Sequence, residues 1–99
     1  MMFSKPVSPE IDDWTHWRHG ANGNPVAKDT VVGPPRSMQW IHEPLYVKHH
    51  NMTINFSAMV SANGRIFYIM DDTLPAIINM PEKWFLFARD AFNGTLLWK

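Results

Sequence analysis

The sequence predicts an all-β fold: a single four-stranded antiparallel meander preceded by an irregular N-terminal arm. Three observations carry that prediction. Asn63-Gly64 separates two strand-like apolar runs, and Asn-Gly is the strongest short-range hairpin signal because both central residues of a type I′ turn need positive φ. A second pair of apolar runs, residues 84–88 and 96–98, flanks Asp90 to Gly94, whose Asp, Asn and Gly suit a tight turn. Eight prolines and five glycines lie between short runs, the punctuation of turns and strands rather than of long helices.

Composition narrows the possibilities. Ninety-nine residues suffice for one small domain with a modest core. Nine basic and nine acidic residues balance, so electrostatic attraction to nucleic acid or an anionic membrane is not expected to dominate its interactions. Lys48-His49-His50 is the one short basic candidate, and it falls in a stretch read as loop. There is no cysteine, which removes disulfides, thiolate metal sites and thiol nucleophiles. No apolar run approaches the roughly 20 residues of a membrane-spanning helix, and residues 1–10 lack the apolar core of a signal peptide. Five Trp, six Phe and seven Met supply a large apolar area, mostly in the second half.

In chain order, residues 1–13 are polar and proline-containing and read as a leader or linker. Residues 14–36 form an irregular Trp/Asn-rich arm. Trp14 and Trp17, three apart, would share one side of a single helical turn, but Gly20, Asn22, Gly23 and Asn24 rule out a long helix. His16 and His19 have no carboxylate or thiolate beside them in sequence, an incomplete metal site, so aromatic packing against a sheet edge is the reading adopted. Gly33-Pro34-Pro35 stops the arm.

The segment 37–99 holds the sheet. Residues 37–41 alternate, with Met38 and Trp40 on one side, and read as a short outer strand. Residues 42–53 read as loop. Ile54, Phe56, Ala58 and Val60 alternate with polar or smaller residues up to Asn63-Gly64, and residues 66–70 follow. Counting outward from that turn pairs Ala62 with Arg65, Val60 with Phe67 and Ala58 with Ile69 on one face. Met59 with Tyr68 and Ser57 with Met70 fall on the other. Both faces of the later strand are apolar, the mark of a sheet covered on two sides. Residues 71–83, with two prolines, end the hairpin and make an excursion in which Ile77 and Ile78 are expected to fold back onto the sheet edge. Strands three and four follow at 84–88 and 96–98.

Catalytic and binding motifs are sparse. No phosphate-binding glycine loop, nucleophile elbow or zinc-protease motif occurs. Asp71-Asp72 reads as a pair of solvated turn residues rather than a calcium site, which needs six to eight oxygens. Adjacent His49 and His50 would point to opposite faces of a strand and do not make an acid–base pair. Asn51-Met-Thr53 and Asn93-Gly-Thr95 fit the glycosylation pattern, of consequence only in a eukaryotic secretory setting.

The stretch Ala88-Arg-Asp-Ala-Phe-Asn-Gly-Thr-Leu-Leu-Trp98 resembles the tryptophan-docking motif Ala-x-Asp-x-x-Thr-Gly-x-x-x-Trp of quinoprotein-type, PQQ-like β-propeller repeats. Ala88, Asp90, Gly94 and Trp98 fall on it, and Asn93 stands where threonine is usual. The resemblance covers residues 37–99 well and 14–36 loosely. It implies that 37–99 is one propeller blade with an insertion at 71–83, and that its partners are neighbouring blades of the same chain or another protein. Ala88 would let a neighbouring indole approach, Asp90 would accept turn amides, Gly94 would take positive φ and Trp98 would bury its indole. Because the sequence stops one residue after Trp98, at the edge of a repeat unit, a larger propeller protein is expected.

Within the family, the resemblance implies either a non-catalytic scaffold or binding platform, with no cofactor in this segment, or part of an oxidoreductase using pyrroloquinoline quinone (PQQ) with calcium. The adjacent cysteines of those enzymes are absent, and the first reading is preferred. A periplasmic or other extracytoplasmic setting is implied by the resemblance alone. A self-contained small β domain is the third possibility.

Overall fold

A computed structural model describes residues 6–43, 56–73 and 80–99. The described residues contain four strands and no helix: β1 (Phe56–Ala62), β2 (Arg65–Asp71), β3 (Trp84–Asp90) and β4 (Leu96–Trp98). They form one antiparallel sheet in the order β1-β2-β3-β4, so each strand pairs with its sequence neighbour. No helix among them is long and apolar enough to cross a membrane.

The hairpin register follows from its turn. Asn63 and Gly64 have φ of 49° and 70°, and Ala62↔Arg65, Val60↔Phe67, Met59↔Tyr68 and Ala58↔Ile69 pair as counting outward requires. The pairing then departs from expectation by one residue. Phe56, not Ser57, lies opposite Met70, with the register shifting between Phe56 and Ala58. The extra residue turns Phe56 onto the Tyr68 face, where the rings stack at 5.8 Å and 27°; a bulge re-aims a side chain in this way.

Alternation along β3 gives the sheet two unlike faces. One carries Val60, Phe67, Ile69, Trp84, Leu86, Ala88 and Trp98. Ile69, Trp84, Leu86 and Trp98 are exposed there. The other carries Met59, Tyr68, Met70, Phe85, Phe87 and Arg89. Its centre is a ladder of rings: Tyr68 stacks on Phe87 at 5.0 Å and 4°, and Phe85 meets Phe87 edge-on. Met70, Phe87 and Ala88 are the buried apolar residues of the described sheet.

The arm closes on the β1 edge. Trp14 and Ser61 exchange backbone hydrogen bonds at 3.0 and 2.7 Å, and the Asp13 carboxylate accepts the Asn63 amide at 2.9 Å. Trp14 is therefore packed against a sheet edge. Trp17 is exposed and only its carbonyl meets the Trp14 indole N–H. The expectation that the arm histidines lack a carboxylate is corrected for His19: Asp12, seven residues before it, has its Oδ2 2.6 Å from His19 Nε2 and also accepts the Lys28 amide. Asp29 Oδ1 accepts the amides of Val31 and Val32. Backbone amides are the main reason both carboxyls titrate below the ordinary value, from Lys28 for Asp12 and from Val32 and Val31 for Asp29.

Two further expectations fail among the described residues. Residues 37–41 form no strand; the side chains of Gln39 and Trp40 reach the β3–β4 turn instead of pairing with an edge. Asp71 is not a solvated turn residue. It is 1% exposed, and its Oδ1 accepts the Thr73 amide, the Thr73 hydroxyl and the Lys83 amide at 3.1, 2.7 and 2.9 Å. With Asp72 N donating to Lys83 O, these bonds close the mouth of the β2–β3 connection. The expectations for Lys48 to Asn51 and for Ile77 and Ile78 lie outside the described residues.

Candidate functional site

The residues of the Ala88–Trp98 stretch meet at one end of the sheet. Asp90, the last residue of β3, turns its Oδ1 back to accept the amides of Phe92 and Asn93 at 2.8 and 3.0 Å. Its carbonyl accepts the Gly94 amide, and Asn93 Oδ1 accepts the Thr95 amide at 2.8 Å. Asparagine at 93 thus makes a turn-closing bond of its own. Gly94 has φ +74°. The neighbouring hairpin turn joins the cluster, since Ala91 N donates to Gly64 O and Phe92 lies against Gly64.

This double turn forms a cradle, and an indole occupies it. Trp40 lies flat enough on Gly94 that a Cβ there would stand 2.5 Å from Cε3 of the ring. Trp40 Nε1 donates to Ala91 O at 3.0 Å, and Gln39 Nε2 donates to Phe92 O at 2.7 Å. The cradle thus selects for an indole twice, by a surface that only glycine leaves open and by a carbonyl that takes the N–H.

Arg89 fixes the floor of the cradle. It is buried, with Nε donating to Tyr68 Oη, Nη1 to Gly94 O and Nη2 to Glu43 O, each at 2.8 Å. One guanidinium therefore ties the ring ladder, the turn and the segment that carries Trp40. Sequence reading missed this residue. The available signal was a charged residue between Ala88 and Asp90 on a strand otherwise apolar on both faces.

Trp98 has a different setting. It lies across Ala88 from Phe67, the three residues forming one cross-strand row. The two rings meet above the alanine at 6.1 Å and 44°, leaving Ala88 fully buried. A larger residue at 88 would separate them. The indole is backed by its own sheet and is still 48% exposed. Segment 39–43 reaches the Arg89 side, whereas Trp98 sits on the Ala88 side, because consecutive strand residues face opposite ways.

The site therefore has two halves: a filled glycine cradle and, on the other face, a displayed indole. Comparisons with protein-family models, curated proteins and solved structures find no match to this chain.

Proposed function

We propose that this chain is a PQQ-like β-propeller repeat segment, one blade and its arm, serving as a non-catalytic scaffold or binding platform within a larger protein. The observation that supports the reading best is the correspondence of the two halves of the site. The cradle at Gly94 and Ala91 takes an indole, Trp40, and the far face offers another, Trp98, with one side still open. Trp40 closes the cradle from within, so the half left for a neighbouring unit is the open side of Trp98. The apolar face around Trp98, with Ile69, Trp84 and Leu86 exposed, is the kind of surface that marks an interaction site.

The reading assigns no cofactor to this segment, and the turn residues have structural work instead. The Asp90 oxygen that turns inward is taken by two amides, and Trp40 fills the space over Gly94.

Binding of an apolar fluorescent dye to the 99-residue chain tests the proposal. The chain is expected to bind the dye at the Trp98 face, and Leu86→Lys, at the middle of that face, is expected to lower the binding. A cooperatively folded monomer that binds no dye would favour a self-contained small β domain and overturn the proposal.

A further inference from the structure

β4 is three residues long, all exposed, and holds to β3 by two paired positions, Leu96↔Arg89 and Trp98↔Ala88, with Leu97 as the extra residue between them. A strand so short has a weakly specified register, and a slip of one residue moves every side chain to the opposite face. Something must nevertheless keep Trp98 on the Ala88 side. Contact with Phe67 contributes, but both rings belong to a face that is open to solvent.

Residue 99 points the other way. Lys99 Nζ lies 4.8 Å from the centre of the Phe85 ring and 5.7 Å from that of Phe87. It also lies 2.8 Å from Asp72 Oδ2. Two aromatic rings and a carboxylate form a seat whose chemistry suits an ammonium. The seat itself is anchored: Phe87 is buried and stacked on Tyr68, and the Asp72 backbone is bonded to Lys83. One side chain thus fastens β4 to β3 and to the residue that follows β2.

We propose that Lys99 is a positioning residue: seated on Phe85, Phe87 and Asp72, it fixes the register of β4 and so presents Trp98 on the Ala88 face. Because neighbouring residues face opposite ways, Lys99 reaches this seat only when Trp98 lies on the other side. The purpose of the device, display of a docking indole, rests on the function proposed above, whereas the positioning is measurable in the isolated chain.

Nuclear Overhauser contacts between the Trp98 indole and the Ala88 methyl, with the ring-current shift of that methyl, report the arrangement directly. Lys99→Gln is expected to lower the contact intensity roughly two- to fivefold, the range set by a solvent-accessible cation–aromatic contact. Lys99→Arg, which keeps cation and reach, restores it. Asp72→Asn, a milder change should Lys99→Gln unfold the sheet, gives a partial loss. Tyr68–Phe87 contacts serve as the folding control. Unchanged indole–methyl contacts in both Lys99→Gln and Asp72→Asn would overturn the inference. If Leu86→Lys lowers dye binding while Trp98 stays in place without Lys99, the inference alone fails. If Trp98 is released by Lys99→Gln while Leu86→Lys leaves dye binding unaltered, the positioning stands and the docking function fails.

Discussion

Gly94→Ala is the most informative single change, because two separable costs meet at that position. The first is conformational: φ is +74°, and an L-residue held in the left-handed region costs about 1–2 kcal/mol. The second is steric. The new Cβ would stand 2.5 Å from Trp40 Cε3 and 2.6 Å from Cδ2, a separation no carbon pair tolerates, so the indole must lift. Lifting it breaks the Nε1–Ala91 bond, worth about 1 kcal/mol net, and re-exposes part of the ring, on the order of 1 kcal/mol for roughly 40 Å². The expected loss is about 3–4 kcal/mol. Gly64→Ala provides the internal control. Its φ is +70°, but the nearest atom to its Cβ is Phe92 Cε2 at 3.2 Å, the far end of a ring that can swing aside. Its cost is therefore about 1–2 kcal/mol, the conformational part alone. Urea unfolding followed by tryptophan fluorescence gives the two differences, and the Trp40 indole N–H resonance shows whether the ring has left. Equal losses in the two variants, with the Trp40 resonance unmoved in Gly94→Ala, would refute the cradle.

Three further outcomes follow from the same geometry. Asp71→Ala removes the acceptor of three bonds from Thr73 and Lys83 at a buried position; about 3 kcal/mol of stability should go, with faster amide exchange at Lys83. Ala88→Leu inserts a larger side chain beneath the Phe67–Trp98 contact and should cost about 1–3 kcal/mol, with Trp98 more accessible to acrylamide quenching. Asp12 and Asp29 have depressed carboxyl pKa values, so their contribution to holding the arm is present above the unfolded value near 3.8 and is lost as pH falls through the lower folded values. Amide exchange at Lys28, Val31 and Val32 should accelerate in that acid window before the β2–β3 amides respond; protection of all of them to the same pH would contradict the assignment.

The strands were legible because each rests on a local cue. Asn63-Gly64 sets the hairpin, and alternation outward from it sets the register as far as Ala58. The bulge at Ser57 was not legible, because what it achieves is stacking of Phe56 on Tyr68, a cross-strand contact that alternation within β1 does not encode. The turn chemistry of Asp90 and Asn93 is likewise local, each side chain bonding amides within three residues, and Gly94 adds the positive φ the turn requires. Trp40 was misplaced for the opposite reason. Its alternation with Met38 resembles a strand, but its partners Ala91 and Gly94 lie more than fifty positions away, and no short-range pattern links them. Arg89 shares this character, with Tyr68 and Glu43 as partners 21 and 46 positions away, and so in part do Asp71 and Asp12, which accept the amides of Lys83 and Lys28, 12 and 16 positions on. Local periodicity therefore located the sheet, and long-range polar contacts built the site upon it.

The filled cradle has a consequence for identical copies of this chain. Trp98 of one copy cannot enter the Gly94 cradle of another while Trp40 occupies it, so contact of this kind between wild-type copies is blocked from within. Trp40→Ala removes the plug without adding strain at Gly94. If the displayed indole and the cradle are complementary halves, that variant should associate head to tail, with concentration-dependent sedimentation that the unaltered chain lacks. Trp40→Ala combined with Trp98→Ala should return to monomer, because the association needs one indole for each cradle. The joint is heterologous, one patch meeting a different one, so it would propagate in a single direction rather than stop at a symmetric pair. Association of Trp40→Ala that persists without Trp98 would mean that general exposure of apolar surface drives it. The complementarity of the two halves would then have no part in how this chain meets its neighbours.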